Sequence, residues 1–345
     1  MSVTLRDVAD HAGVSIGTAS QALNHNPKVT PETRQKVISA ASELGYHPRR
    51  RVQIYSPGNN ESLSVVGILT KHDVFDITLA NPFYSYIYAG VEQECRRRGM
   101  SVMFSSVDVD EENHPISWPP MIREGKIDAL MLLGTTLVGA IDSIADYTDV
   151  PVILIDSYAP QLDYDSIVSD NGGGAMQAVE HLIAMGHTKV ALLGSNRHSP
   201  HSIMGRREGY FQTMMKHGLD PEKYLVDTPL TRTGGADGMR WLLKHQPEVT
   251  AVFVCNDDTA TGAYRILNEN NVSIPDEMSV VGFDNTYICQ SMHPALTTIN
   301  IPKQWMGVLG VQALVERKLY PDKPKVTTYV ETELIKRESV AAPRE

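Results

Sequence analysis

Side chains between positions 15 and 24 carry hydrogen-bonding groups at helical spacing. The segment contains short hydroxyl and amide side chains, with no charged residue among them: Ser15, Thr18, Ser20, Gln21 and Asn24. Hydroxyl and amide groups can both donate and accept hydrogen bonds, and a Gln amide can bond to a flat polar edge through two atoms at once. Ile16 and Gly17 lie between these polar residues. The pattern indicates recognition of another molecule rather than bond-breaking chemistry.

Two short helices around a glycine turn must position this polar face. Thr4 can cap the first helix, and Asp7 completes an imperfect capping box because Glu or Gln is preferred there. An apolar stripe follows at helical spacing: Leu5, Val8, Ala9 and Ala12. Gly13 ends this helix and Ser15 caps the second. The inner face of the second helix is formed by small or apolar residues: Ala19, Ala22 and Leu23.

A third helix is predicted from Thr30, with Pro31 at its first position and Gly45 at its end. Four residues are expected to face inward: Val37, Ile38, Ala41 and Leu44. Helix, turn and helix in this order are typical of a DNA-binding unit whose second helix enters the major groove. A small helical bundle with no role on DNA would show similar helices.

The distribution of charge favours the DNA-binding interpretation. Residues 1–56 carry seven Lys or Arg and four Asp or Glu, whereas the whole chain has a formal net charge of −10. The remaining residues therefore carry −13. Excess positive charge is confined to the end that would meet phosphate.

Residues 3–48 closely resemble the DNA-binding headpiece of the lac repressor (LacI/GalR) family. They follow its pattern VTLxDVAxxAGVSxxTxSxxLN, and then VxxxTRxKV and LGYxP. The resemblance implies a helix-turn-helix headpiece over 1–48, with Ile16, Gly17 and Gln21 reading bases of a pseudo-palindromic operator. The full set of expected headpiece contacts is Thr4, Ser15, Ile16, Gly17, Thr18, Ser20, Gln21 and Asn24.

Residues 49–63 form a hinge or linker. In the resembling family this segment is a short helix that wedges a Leu into the minor groove, and Tyr55 occupies the Leu position here. Pro57 follows closely and disfavours helix at the residue before it. The resemblance implies that the segment contacts DNA through Arg49, Arg50 and Tyr55. A basic tether that contacts only phosphates is the alternative, and both interpretations stay open.

From residue 65 onward, strands and helices alternate. Strands are predicted at 65–69, 102–105, 129–133, 152–155, 166–169, 190–193, 251–254 and 279–282. Helices are predicted at 82–98, 172–185, 203–217, 236–245 and 258–270. Apolar strands separated by helices indicate parallel sheets that are covered on both faces, and the length suits two such α/β halves.

Stretches of this part resemble the ligand-binding core of the same family. They include Asn81-Pro-Phe-Tyr84, Ser169-Asp-Asn171, Gly205-Arg206-x-x-Gly209-Tyr210 and Pro294-Ala-Leu-Thr-Thr-Ile299. The resemblance implies an α/β core of two doubly wound lobes over 64–340, with the periplasmic-binding-protein type I fold. It places about 64–168 and 302–325 in the first lobe. It places about 169–301 and 326–340 in the second.

A cleft between such lobes, at the carboxyl ends of the strands, is the usual ligand site. Six side chains are expected to bind the effector there: Phe83, Tyr84, Asp156, Arg206, Asn256 and Asp284. Carboxylate and amide oxygens can accept sugar hydroxyls, a guanidinium is a rigid donor, and aromatic rings can stack on sugar CH groups. The chemistry suits a sugar or sugar derivative.

Each of these residues has an ordinary structural alternative. Asp156 and Asp284 can form turns, Arg206 can be a surface ion-pair residue, and either aromatic residue can belong to the core.

The sequence offers no catalytic constellation, and no enzyme activity, cofactor or metal is expected. The first core strand is not followed by G-x-G-x-x-G, so a dinucleotide site is unsupported. The glycine run 172–174 could cradle a phosphate or simply permit close packing. His181 and His187 lack the spacing and the partner Glu of a zinc site.

Three widely spaced cysteines show no disulfide framework, and no signal peptide or membrane-spanning run is evident. A transport-associated sugar-binding protein would need the signal peptide and would lack the headpiece. We therefore predict a cytoplasmic, nucleoid-associated transcription regulator that acts as a repressor and binds operator DNA and a carbohydrate effector. A homodimer is expected, and a tetramer is left open.

Overall fold

The computed structural model describes residues 4–23, 29–44, 46, 63–72, 82–110, 114–134, 141, 143–159 and 164–344. The chain divides into two compact units, Met1–Glu61 and Ser62–Glu345. We call the first the headpiece and the second the core.

The headpiece contains three helices: α1 Leu5–Ala12, α2 Ile16–Leu23 and α3 Pro31–Glu43. The capping box is present, because Thr4 N donates to Asp7 Oδ2 at 2.7 Å and Asp7 N donates to Thr4 Oγ1 at 3.4 Å. Gly13 has φ 66°, a left-handed conformation that glycine adopts without strain. The predicted helix–turn–helix is confirmed.

Small residues hold the three helices together. The buried headpiece core is Val8, Ala9, Ala19, Ala22, Val29, Val37, Ala40 and Ala41. Ala9 and Ala19 are fully buried, and their small side chains let the first two helices pack closely. The inward prediction for Ile38 is wrong, since this side chain is 37% exposed and Ala40 lies inside instead. At 3.6 residues per turn, positions 37, 40, 41 and 44 share one helix face and position 38 does not.

Twelve strands and eight further α-helices build the described part of the core. The strands are β1 Val65–Lys71, β2 Ser101–Val107, β3 Ala129–Leu133, β4 Val152–Ile155, β5 Asp165–Ser169, β6 Val190–Ser195, β7 Leu225–Asp227, β8 Ala251–Val254, β9 Ser279–Asp284, β10 Thr297–Asn300, β11 Thr327–Val330 and β12 Glu333–Ile335. The helices are α4 Pro82–Arg97, α5 Pro120–Arg123, α6 Asn171–Ala184, α7 His201–Lys216, α8 Arg232–His245, α9 Asp257–Glu269, α10 Ile288–Ser291 and α11 Lys303–Leu319. No described helix is long and apolar enough to cross a membrane.

The strands form two six-stranded sheets, one for each lobe. Lobe 1 has the order β11-β5-β4-β3-β1-β2, and all its pairs are parallel. Lobe 2 has the order β12-β10-β9-β8-β6-β7, and only the pair of β12 with β10 is antiparallel. The predicted pair of doubly wound α/β lobes is confirmed.

The chain passes between the lobes three times: after β5, after β10 and between β11 and β12. The third passage corrects one boundary, because the family resemblance implied that about 326–340 belong to the second lobe. Residues Thr327–Val330 instead pair with β5 at the edge of the lobe 1 sheet. This edge strand alternates exposed and half-buried residues, so it lacks the apolar run that marks a buried parallel strand.

Helices α4 and α11 lie on one face of the lobe 1 sheet in very close contact. A Cβ atom added to Gly90 would lie 1.9 Å from the carbonyl oxygen of Gln304. A Cβ atom added to Gly307 would lie 2.2 Å from the carbonyl oxygen of Ile87. The two glycines therefore let the helix backbones touch, and α4 and α11 behave as one packed pair.

Candidate functional site

Four of the predicted effector residues meet between the lobes at the carboxyl ends of the strands. Asp156 directly follows β4 and Asp284 is the last residue of β9. Arg206 reaches the same place from the second turn of α7, and Tyr84 lies in the first turn of α4. Parallel strands bring the residues at their carboxyl ends to one edge, as open α/β sheets require.

Tyr84 and Asp156 form the lobe 1 side of this site. The Tyr84 hydroxyl donates to Asp156 Oδ2 at 3.1 Å. Burial raises the pKa of Asp156 to about 6, although the Arg206 charge and the Tyr84 hydrogen bond oppose the shift. Burial and the neighbouring Asp156 raise the pKa of Tyr84 well above its ordinary value. Tyr84 therefore remains a hydrogen-bond donor at neutral pH.

Arg206 forms the centre of the lobe 2 side. Its Nη2 lies 3.1 Å from Asp284 Oδ1, and its Nε donates to Asn171 Oδ1 at 2.8 Å. A third bond runs from Nη1 to the carbonyl oxygen of Cys255, and the guanidinium lies 3.9 Å from the Phe283 ring centroid. Arg206 is only 4% exposed, so the alternative of a surface ion-pair residue is wrong.

Asp284 is both a turn residue and a partner of Arg206. It has φ 105°, and Asn285 has φ 52°, so two consecutive non-glycine residues are left-handed. Burial raises the pKa of Asp284 to about 7, while Arg206 opposes the shift and Asp257 adds to it. Asp257 is fully buried and accepts hydrogen bonds from Thr286 N at 2.7 Å and from a Thr hydroxyl of β10 at 2.6 Å. Asp257 therefore ties the segment that directly follows the Asp284–Asn285 turn to β10.

The two remaining effector candidates, Phe83 and Asn256, each make a structural contact of their own. Phe83 is 8% exposed and packs in the core, with its ring 5.1 Å from the Tyr84 ring at an edge-on angle. Asn256 caps α9, because its Oδ1 accepts Thr259 N at 2.8 Å. The cap uses one of the two acceptor positions of Asn256 Oδ1. A ligand contact by the other position or by the amide NH₂ group stays a prediction.

Sequence reasoning missed three polar residues of the site: Asn171, Asp257 and Lys303. Asn171 was noticed only within a matching stretch, although it holds the Arg206 side chain and also donates to Ser169 O at 3.1 Å. Asn, Asp and Lys are usually exposed, so their burial cannot be predicted from a single sequence. The available signal was that Asn171 and Lys303 each begin the helix that follows a strand.

In the headpiece, the predicted reading residues lie on the outer face of α2. Ile16 is 43% exposed, and Ser15, Gly17 and Gln21 are exposed as well. Thr18 N donates to Ser15 Oγ at 3.0 Å, so Ser15 also serves as the helix cap. Thr18 and Ser20 are half-buried. The predicted contacts Asn24, Arg49, Arg50 and Tyr55 lie outside the described residues.

The raised pKa values of the cleft carboxylates predict a pH-dependent stability. The folded protein binds protons at Asp156 and Asp284 that the unfolded chain, with an ordinary pKa of 3.8, has already lost. Stability therefore falls as the pH rises from about 4 to 7. Urea unfolding of wild type and Asp156→Asn measures this effect. Between these pH values the free energy of unfolding of wild type should fall by roughly 1–3 kcal/mol more than that of the variant. The matched change Asp276→Asn, at an exposed ion pair with Arg344, should show no such trend. Parallel curves for wild type and Asp156→Asn would contradict the assignment.

An exposed polar face on a helix-turn-helix unit, with a charged cleft between two α/β lobes, defines a DNA-binding regulator with a ligand-binding core. Residues 4–49 match the family model of bacterial regulatory proteins, lacI family, and residues 179–340 match a periplasmic binding protein-like domain. The chain is 33% identical over 324 residues to the ribose operon repressor of Escherichia coli strain K12, covering 92% of this chain and 94% of that protein. The chain belongs to the lacI family of bacterial regulatory proteins, which makes it a transcription regulator and not an enzyme.

Two solved structures extend the likeness. A LacI family transcriptional regulator from Enterococcus faecium with bound ribose has a TM-score of 0.70 and 26% identity, covering 81% of this chain and 100% of that one. The lac repressor dimer bound to operator and the anti-inducer ONPF has a TM-score of 0.68 and 26% identity, covering 99% and 100%. The second likeness covers headpiece and core together.

Proposed function

We propose that this chain is a repressor whose affinity for operator DNA is controlled by a sugar bound between the two lobes. The observation that carries the proposal is a buried cluster of charged residues between the lobes. Asp156 and Asp284 lie at the carboxyl ends of strands of the two lobes, and Arg206 reaches them from α7. A sequence relative named for a ribose operon and a structural relative with bound ribose support the sugar class.

The chemistry of the cluster favours a neutral, hydroxyl-rich ligand. Two carboxylates face one guanidinium, and Tyr84 adds a hydroxyl donor. Sugar hydroxyls can donate to the carboxylates and accept from Arg206, so that every buried charge keeps a hydrogen-bonding partner. An anionic ligand would add charge next to two acids. A monosaccharide such as ribose is therefore the first candidate.

Control of DNA binding would follow from linkage. If the sugar favours one arrangement of the lobes and the operator favours another, each ligand changes the affinity for the other by the same factor. We propose a homodimer on a two-fold symmetric operator, as in the lac repressor dimer structure, working on the chromosome within the cytoplasm. Arg49, Arg50 and Tyr55 are proposed to add backbone and minor-groove contacts.

Titration calorimetry with D-ribose, D-galactose and cellobiose tests the ligand class. Binding of at least one sugar is expected, followed by a change in affinity for an operator selected from random duplexes with the same protein. If no sugar of a wider panel shifts the melting temperature or the operator affinity, the proposed effector class is wrong.

Gln21 should set the base preference at one operator position. It lies exposed on the outer face of α2, and a Gln amide pairs with adenine N6 and N7, whereas Arg pairs with guanine O6 and N7. Gln21→Arg should therefore move the selected half-site from A·T toward G·C at that position. Operator selection with both proteins measures the shift. Identical half-sites would remove Gln21 from the reading set.

A further inference from the structure

Lys303 is a buried cation that joins the two lobes. It is the first residue of α11, a helix that packs on α4, β3, β4 and β5 of lobe 1. Its side chain nevertheless points to lobe 2, where the ammonium donates to the carbonyl oxygens of Asp284 and Asn285. A third bond, of 3.2 Å, goes to the carbonyl oxygen of Ile301 in the passage between lobes. Lys303 is 5% exposed.

Burial of the Lys303 ammonium costs desolvation energy, which the surrounding groups must offset. Among the described residues, no carboxylate oxygen lies within 4.0 Å of the Lys303 ammonium, so backbone carbonyls supply its hydrogen bonds. Burial lowers the pKa of Lys303, while the nearby charges of Asp284 and Asp257 oppose the shift. An apolar side chain would avoid the desolvation of an ammonium altogether.

The turn that Lys303 contacts is the strained turn of the cleft. Asn285 has φ 52°, which Asn tolerates, whereas Asp284 has φ 105°, outside the left-handed helical region, and needs its surroundings to hold it there. Lys303 bonds the carbonyl oxygens of both residues. The same turn places Asp284 Oδ1 3.1 Å from Arg206. Lys303 therefore supports the geometry of a carboxylate that it does not bind directly.

The helix that carries Lys303 is also tied to the other side of the cleft. α11 is packed against α4 through Gly90 and Gly307, and α4 carries Tyr84, which bonds to Asp156. One packed helix pair thus contacts the cleft in lobe 1 through Tyr84 and the cleft turn of lobe 2 through Lys303.

We propose that Lys303 is a positioning residue that fixes the Asp284–Asn285 turn against α11 and so couples the state of the cleft to the arrangement of the two lobes. The part of this inference that concerns the effector rests on the proposed function. The part that concerns the turn stands without any ligand.

Hydrogen–deuterium exchange of the ligand-free, full-length protein tests the turn. Lys303→Met keeps the length of the side chain but removes its charge and donors, and it should raise the exchange rate of amides 284–287 about tenfold or more. Lys303→Arg keeps the charge and donors and should restore most of the protection. Lys323→Met is the matched control, because Lys323 is also largely buried but pairs with Asp165 and Glu316 within lobe 1. It should leave amides 284–287 unchanged.

The coupling is measured as the factor by which saturating D-ribose changes the affinity for the selected operator. In Lys303→Met this factor should fall toward one, while ribose affinity falls by a smaller factor. A residue with only a structural role would lower stability and leave the coupling factor intact. Unchanged exchange at 284–287 in Lys303→Met overturns the positioning role whether or not ribose binds. Failure of wild type to bind any sugar overturns the proposed function, and the exchange result still decides the role of Lys303.

Discussion

Replacement of Asp284 by Ala should weaken binding of the sugar effector about ten- to hundredfold, or ~1.5–3 kcal/mol, the usual range for a lost charge-assisted hydrogen bond. The carboxylate is 7% exposed and is held beside Arg206 at the interlobe edge of β9. Its loss would remove the proposed ligand acceptor and the carboxylate partner of Arg206. Calorimetry with the sugar that binds wild type measures the change.

A control at the other end of the same strand separates this effect from general destabilisation. Asp276 precedes β9 and forms an exposed ion pair with Arg344 at 2.6 Å. Asp276→Ala should therefore leave sugar affinity within about twofold, because exposed pairs contribute little. Wild-type sugar affinity in Asp284→Ala, confirmed in Asp284→Asn, would show that the effector binds elsewhere.

Gly90→Ala should destabilise the core strongly, although Ala is intrinsically the better helix former by about 1 kcal/mol. The added Cβ would lie 1.9 Å from the carbonyl oxygen of Gln304, so α4 and α11 would have to move apart. Overpacking of this kind typically costs about 1–3 kcal/mol, and backbone cannot rotate away as a side chain can. Urea unfolding of the full chain measures the loss.

Gly172→Ala is the matched helical control. The nearest atoms to its added Cβ are 3.8 and 4.0 Å away, which is ordinary contact distance. This variant should be as stable as wild type or slightly more stable. If Gly90→Ala is equally stable, the close approach of α4 and α11 is not a feature of the protein in solution.

The architecture could be predicted because its signals are local. The strands at 129–133, 152–155 and 251–254 have the bounds that their apolar runs predicted, since each is buried on both faces. The helix caps at Thr4 and Gly13 could also be predicted, because capping depends on residue type over a few positions.

The features that could not be predicted from the sequence depend on contacts between distant segments. β11 has no apolar run of its own, and its place in lobe 1 follows only from pairing with β5. Asn171 and Lys303 are polar residue types that the fold buries, so their roles emerge only when Arg206 and the Asp284 turn lie beside them. Phe83 shows the same limit, since an aromatic residue beside a cleft and one in the core look alike in sequence. Its side chain packs in the core, and its stacking on a sugar stays a prediction.

The three passages between lobes also constrain how the protein is made. Domains generally fold in order as the chain leaves the ribosome, and the headpiece helices, which end at Glu43, can form early. Neither core lobe can complete its sheet early, because β11 of lobe 1 and β12 of lobe 2 are synthesised only after residue 326. Each sheet therefore keeps one unpaired strand edge until this late segment has been synthesised. Nascent chains halted before that point should expose unpaired strand edges and depend on chaperones, while their headpieces are already folded.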